Sequence, residues 1–360
     1  MARSLNRGGR PTRSLRAQID GGSLTDVWGT MNLIQGTGIT MSAVDNSGQQ
    51  RMDVTINSSA SGLIESSFTI LNPGVTAAQI NTALSTYDVV YLTPGNYGVM
   101  STAIQMNSYN QLIGLGGGGS IGSISYGAIL QVNSNITLIN MSGGNNRIEN
   151  ISLWGSHAGT QDLVVVSGGA NRRAHIKDCF FGVSNWQGRL INSTSPINIE
   201  NVGMDSFSRT GSASVLRISA SGGASYAPST LKNVYIDFPT GGASSRIGFD
   251  ITASGFTVTN CKVQNAGSHG FSFSENSEMN SMFVGCSADN CGGDGFVHSN
   301  PGWWLGIIGC NAYNNTGRGF NLPFGAAGRL FGVIVGCVAQ NSTGGNTVST
   351  GYLNTGNSLA

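Results

Sequence analysis

Charge is scarce in this sequence. Lys and Arg number 18 and Asp and Glu 17 among 360 residues, 10% of the chain, and the net charge is +1. A basic footprint spread over the whole chain, as nucleic-acid binding needs, is therefore excluded. No apolar run is long enough to cross a bilayer as a helix, so membrane insertion is not expected. There is no Cys-x-x-Cys pair and no histidine cluster, so no metal site is expected. The glycine run 116–119 lacks the Lys-Ser/Thr and the helix of a phosphate-binding loop, and no cofactor is implied.

What the chain does have is a repeat. Cys261, Cys286, Cys310 and Cys337 each sit in a similar block, 25, 24 and 27 residues apart. Each block runs on to an Asn (Asn265, Asn290, Asn314, Asn341), and the first three continue to Gly-Phe. A period of this size marks a solenoid whose units bury their apolar faces only by stacking. Upstream the same unit centres on Ile151, Cys179, Val202 and Val234. Three residues before each centre is an apolar residue, from Ile148 to Ile334, and two residues after is another, from Leu153 to Ala339. The +2 offset is strand alternation; the −3 offset breaks it, so the chain bends between. The bend residue is Asn150, Asp178, Asn201, Asn233, Asn260, Gly285, Gly309 or Gly336, the types that adopt a left-handed backbone at least cost. A third strand follows the longer loop, as at Gly248-Phe249-Asp250-Ile251.

On these residues the chain resembles the pectate-lyase-like superfamily over roughly residues 66–350. The resemblance implies an all-β fold, a single-stranded right-handed parallel β-helix with three strands per coil. That superfamily includes lyases, hydrolases, viral tailspikes and non-catalytic adhesins, so the fold alone names no activity. Stacking sets the central cysteines roughly 4.8 Å apart, wider than the ~3.8 Å Cβ separation of a disulfide, so they read as reduced, buried small hydrophobes.

The flanks differ from the coils. Residues 1–22 form an arm in which Arg3, Arg7, Arg10, Arg13 and Arg16 face a single acid, Asp20. It reads as a solvated terminus or as a tether for an acidic partner surface. It also mimics an organelle transit peptide, and without a hydrophobic core it is not expected to be a secretory signal. Residues 23–65 carry two alternating runs around Asp45-Asn46-Ser47-Gly48, a β-hairpin that needs something to pack on, most simply copies of itself. This stretch resembles the short modules of bacteriophage tail fibres, which lie near the attachment end. Residues 66–125 are expected to hold a cap and the first coils: a helix over Thr76–Leu84 with Thr76 as N-cap, a strand over Val89–Leu92 and a turn over Pro94–Tyr97. Coils fill 126–350, and 351–360 is a tail.

Register places candidate chemistry. Asp205 and Asp237 fall at the same outward position on adjacent coils, roughly 5 Å apart by strand spacing, the separation of a retaining glycosidase pair. Each of two stacked carboxylates raises the other's pKa, as an acid catalyst requires. The plain alternative is that any solvent face of a β-helix carries occasional acids. Tyr235 and Lys262 lie nearby as glycan contacts. Trp303 and Trp304, in a loop, are suited to stack on sugars or to plug a groove between subunits. Glu149, Lys177, Glu200 and Lys232 make an alternating column of cross-strand ion pairs. The column then turns apolar at Val284, Ile308 and Val335, a stripe expected to contact another copy of the chain.

Together these features predict a virion appendage of the tailspike or tail-fibre kind on the virion surface, assembled in the host cytoplasm; the resemblance to viral β-helix spikes implies a homotrimer, which the apolar stripe fits. Residues 1–65 would join other virion proteins and the β-helix would meet host surface polysaccharide. Few carboxylates cluster, which favours an adhesin or structural spike over an enzyme. The alternatives are a polysaccharide lyase or glycoside hydrolase on the same fold, and a capsid-surface decoration protein.

Overall fold

A computed structural model describes residues 15–17, 25–27, 39–46, 51–58, 67–116, 127–167, 173–206, 214–219, 228–239, 245–253, 255–274, 281–300, 305–322, 332–348 and 352–359. Trp303, Trp304, residues 117–119 of the glycine run and most of the Arg-rich arm lie outside the described residues.

The chain winds into a parallel β-solenoid, consistent with the right-handed β-helix expected from the repeat. Strands of one coil pair in parallel with those of the next, as in Ile148↔Ile176↔Ile199↔Leu231 before the bend and Phe181↔Met204↔Ile236↔Val263 after it. These ladders form a first and a second sheet. The third strands stack into a separate ten-stranded sheet, from Ile104–Met106 to Thr347–Val348.

The three-point spacing read from the repeat is the core. All eight central residues, from Ile151 to Cys337, and their partners at −3 and +2 are no more than 1% exposed. All eight bend residues are left-handed, with φ between 51° at Asp178 and 63° at Gly285. On the third sheet, Phe249, Phe271, Phe296 and Phe320 stack nearly parallel with centroids 4.7–5.0 Å apart, one ring per coil. Room for the rings comes from small neighbours. A Cβ on Gly270 would stand 2.8 Å from that of Ala288 and from the Gly295 carbonyl, so Gly and Ala occupy the facing positions.

Open strand edges at the N-terminal end are covered. The helix runs over Ala77–Thr86, two residues beyond the expected end, with a capping box in which the Gln79 amide donates to Thr76 Oγ1 (3.3 Å) and the Thr76 amide to Gln79 Oε1 (2.8 Å). It buries Ala77, Ile80, Ala83 and Leu84. Its Asn81 side chain donates to the Ala103 carbonyl and accepts from the Gln105 amide, taking the place of a neighbouring strand for Ile104–Met106. The hairpin pairs Ile39–Asn46 with Arg51–Ser58, and Arg51–Ser58 pairs antiparallel with Phe68–Leu71, the first strand of the first sheet. The hairpin thus packs on the solenoid's own edge; the expectation that copies of itself would be the simplest partner did not include this route.

Two local expectations need correction. The turn expected over Pro94–Tyr97 is tighter, because strand Gly95–Val99 starts at a left-handed Gly95 (φ 143°) packed against Pro73. The charged column is not an unbroken ion-pair ladder. Lys232 donates to Glu200 (3.0 Å), but Arg147 from the same strand pairs with Glu149, and Lys177 lies 3.9 Å from Asp178. Lys232 keeps its column, whereas Lys177 turns to Asp178 and Glu149 is taken by Arg147.

Candidate functional site

The outward face of the second sheet carries two columns, at +1 and +3 from each coil centre. Strand pleating turns both away from the core, so side chains here are free to do chemistry. Asp205 and Asp237 are register partners, as are Gly203 and Tyr235 two residues earlier. Tyr235 and Lys262 are register partners on the next step. The structure therefore brings together four of the residues singled out from sequence.

Asp205 is partly buried, and burial first, then the Asp237 charge, pushes its carboxyl up to about 6. Asp237 accepts a hydrogen bond from Asn265 Nδ2 (3.2 Å), a partner that Asp205 does not share. Tyr235 donates to Gln264 Oε1 (3.0 Å), and burial followed by the Asp237 charge pushes its phenol up to about 12, so it stays a neutral donor. Lys262 lies 6.0 Å from the Tyr235 ring centroid. Its ammonium pairs with Asp289 at 2.9 Å, leaving Asp205 and Asp237 to interact with each other.

An aromatic plate borders the acids and was not assigned a role from sequence. Trp154 and Phe180 sit on the two preceding coils, ring centroids 5.8 Å apart and tilted by 50°. The indole lies over Gly182, where a Cβ would come within 2.7 Å of Trp154 Cζ3. Gly182 is the register partner of Asp205, so the plate ends one coil short of the first carboxyl. The available signal was Gly182 itself, the only glycine in the +3 column.

A second left-handed bend was also missed. Asn265, Asn290, Asn314 and Asn341, each four residues after a centre, have φ between 53° and 60°. They were visible as a repeated Asn but not as a turn. Asn265 is the one that holds Asp237.

Farther along, Ile308 and Val335 are register partners and each 36% exposed, while Val284 is only half-buried. Val338 and Tyr313 join the exposed pair across the Gly309 and Gly336 bends, so the apolar patch belongs to the last coils rather than to a long stripe. All six cysteines are free and buried. Burial holds the Cys179 and Cys291 thiols up at about 12.

No protein-family model matches the chain, and no curated protein matches it. Solved structures similar to it include the A-module of a mannuronan C-5 epimerase from Azotobacter vinelandii, at 13% identity, 80% of this chain and 96% of that one covered, TM-score 0.39. Another is a tailspike protein of Acinetobacter baumannii bacteriophage Fri1, a capsular polysaccharide depolymerase, at 10% identity, 91% and 69% covered, TM-score 0.49. A third is the catalytic domain of a GH87 α-1,3-glucanase in complex with nigerose, at 9% identity, 79% and 68% covered, TM-score 0.38. At these identities and scores the likeness assigns no residue and no reaction to this chain.

Proposed function

We propose that the chain is a virion appendage whose β-helix contacts a host surface polysaccharide on the second-sheet face. The observation that carries the glycan contact is the continuous run of Trp154, Phe180, Tyr235, Asp205 and Asp237 over successive coils. Aromatic faces suit the C–H side of a sugar, and the carboxyls and phenol suit its hydroxyls. A linear polymer laid along the solenoid axis would meet one coil after another. Attachment would run through residues 1–65, a reading supported by the pairing of hairpin strand Arg51–Ser58 with the first strand of the solenoid. Trimer formation would use the Ile308, Val335 and Val284 region.

A second reading, hydrolysis of that glycan, is favoured by the split environment of the acids. Asp205 with its raised pKa is suited to protonate a leaving oxygen, and Asp237, oriented by the Asn265 hydrogen bond, to act as nucleophile. The test is to incubate full-length protein with purified surface polysaccharides and follow both binding and new reducing ends. Binding without new ends, weakened by Trp154→Ala and Tyr235→Ala, supports the adhesin. Turnover lost in Asp205→Asn and Asp237→Asn supports the hydrolase. Turnover untouched by either substitution removes the acid pair, and no binding to any glycan removes the reading.

A further inference from the structure

A separate groove lies across the bend, on the first sheet. Its volume is about 450 Å³, and it spans five coils from Arg147 to Thr257. Strand pairing puts Arg147, His175, Asn198 and Thr230 side by side in one column and Lys177, Glu200 and Lys232 in the next. In a chain that is only 10% charged, this lining collects Arg147, Lys177 and Lys232 against the single carboxylate of Glu200. The partners of the other two cations, Glu149 and Asp178, are not part of the lining. In all three ion pairs the cation is the more exposed member: 42% against 15% for Arg147 and Glu149, 38% against 31% for Lys177 and Asp178, and 56% against 38% for Lys232 and Glu200. The cation is thus the more accessible half of each pair, most clearly at Arg147, and with Glu149 and Asp178 outside the lining the groove carries an excess of positive charge at its rim.

His175 lies at one end of this rim. The residue is exposed, yet partial desolvation of its ring lowers its pKa, and the nearby Arg147 and Arg173 charges lower it further. Its Nδ1 is 3.4 Å from the Asn198 amide nitrogen, and Thr230 Oγ1 donates to Asn198 Oδ1 at 2.6 Å. With Nδ1 accepting from Asn198, the neutral ring keeps its proton on Nε2 as a further donor. Arg173 Nε is buried with no hydrogen-bond partner among the described residues.

We infer that this groove binds an anionic glycan, its acidic groups held by Arg147, His175, Lys177 and Lys232 and its hydroxyls by Asn198 and Thr230. Carboxylate and sulfate share the needed chemistry, since each accepts charge-assisted hydrogen bonds from these donors. The inference narrows the glycan-contact reading to acidic polymers at a second place on the solenoid, and it uses none of the residues of the second-sheet site.

The test is calorimetric titration of the full chain with polygalacturonate, heparin and dextran, and with a double-stranded oligonucleotide. Binding of polygalacturonate or heparin but not dextran is expected, the tighter of the two identifying the acidic group, with affinity falling as salt rises. The pair Arg147→Gln with Glu149→Gln removes both members of one ion pair and so strands no carboxylate. It should weaken binding about tenfold. Arg217→Gln, a cation of the third sheet, should leave it unchanged. Binding should also raise the His175 pKa, read by NMR, against the Arg147, Arg173 and Lys177 charges that surround it. The inference is overturned by dextran binding as tightly as the polyanions, by the oligonucleotide doing so, or by a folded double variant that binds as wild type. Neutral-glycan binding lost in Tyr235→Ala and kept in the groove variant would retain the second-sheet site and remove this one.

Discussion

Asp205 stands opposite Asp237 on the next coil, and neither is neutralised by Lys262, which Asp289 takes instead. Two carboxyls held one strand spacing apart cannot both ionise at no cost. Asp237→Asn should therefore lower the Asp205 pKa from about 6, though not to the ordinary value, because burial is the larger cause. Carboxyl titration by NMR reads this directly; an unchanged value would mean that burial alone sets it.

The same shift has a sign in stability. Asp205 has a folded pKa above its unfolded value of about 3.9, so its favourable contribution is complete below that value and is lost as pH rises through about 6. Asp205→Asn should melt higher than wild type at pH 8 and no higher at pH 3. Thermal unfolding at the two pH values checks it, and an Asn variant less stable at pH 8 would contradict the assignment.

His298 runs the other way. It stacks on Phe273 at 5.0 Å, is fully buried, and burial pushes its pKa down to about 4. Its contribution is present above about 6.5 and is lost as pH falls through about 4, up to roughly 3 kcal/mol. His298→Phe, which continues the aromatic stack, should remove part of the acid sensitivity between those values. Urea midpoints at pH 7 and pH 4 give the comparison.

The solenoid was legible because its coil is a strict local code. The −3, 0 and +2 positions have to be apolar, and the residue before the centre has to turn left-handed, so each copy repeats the same constraint. Side-chain reach carries no such code. Lys177 turning to Asp178, Lys262 to Asp289, and the Trp154 indole lying over Gly182 are choices among neighbours that only three-dimensional packing settles. The groove was hidden for the same reason: its cations read as a balanced column, and only their unequal exposure shows the rim.

The bends offer a mutational check of that code. Asn201 is left-handed at φ 53°, donates to Asp178 Oδ1 at 2.8 Å and accepts from Asn233 Nδ2 at 2.9 Å. Asn201→Ala loses this short amide ladder and sets a Cβ-bearing residue without local hydrogen bonding in αL, at about 1–2 kcal/mol. Asn201→Gly loses the ladder but not the backbone tolerance. The Gly variant should therefore sit between wild type and Ala in urea midpoint; equal midpoints for Ala and Gly would show that the hydrogen bonds, not the backbone, decide.

The proposed assembly rests on the last coils. Among the described residues, Ile308, Val335, Val338 and Tyr313 expose apolar surface around two glycine bends of the last coils, and Val99 and Tyr109 do so separately in the first coils. We propose that the patch on the last coils, four exposed apolar side chains on two neighbouring turns, is buried against other copies. Light scattering of the full chain should give the mass of three chains. Ile308→Lys with Val335→Lys places two like charges on register partners at the centre of that surface, and should return the mass of one chain with the fold intact by circular dichroism. A wild-type chain that scatters as a monomer would leave this patch for a different protein to cover, and would count against the trimeric spike itself.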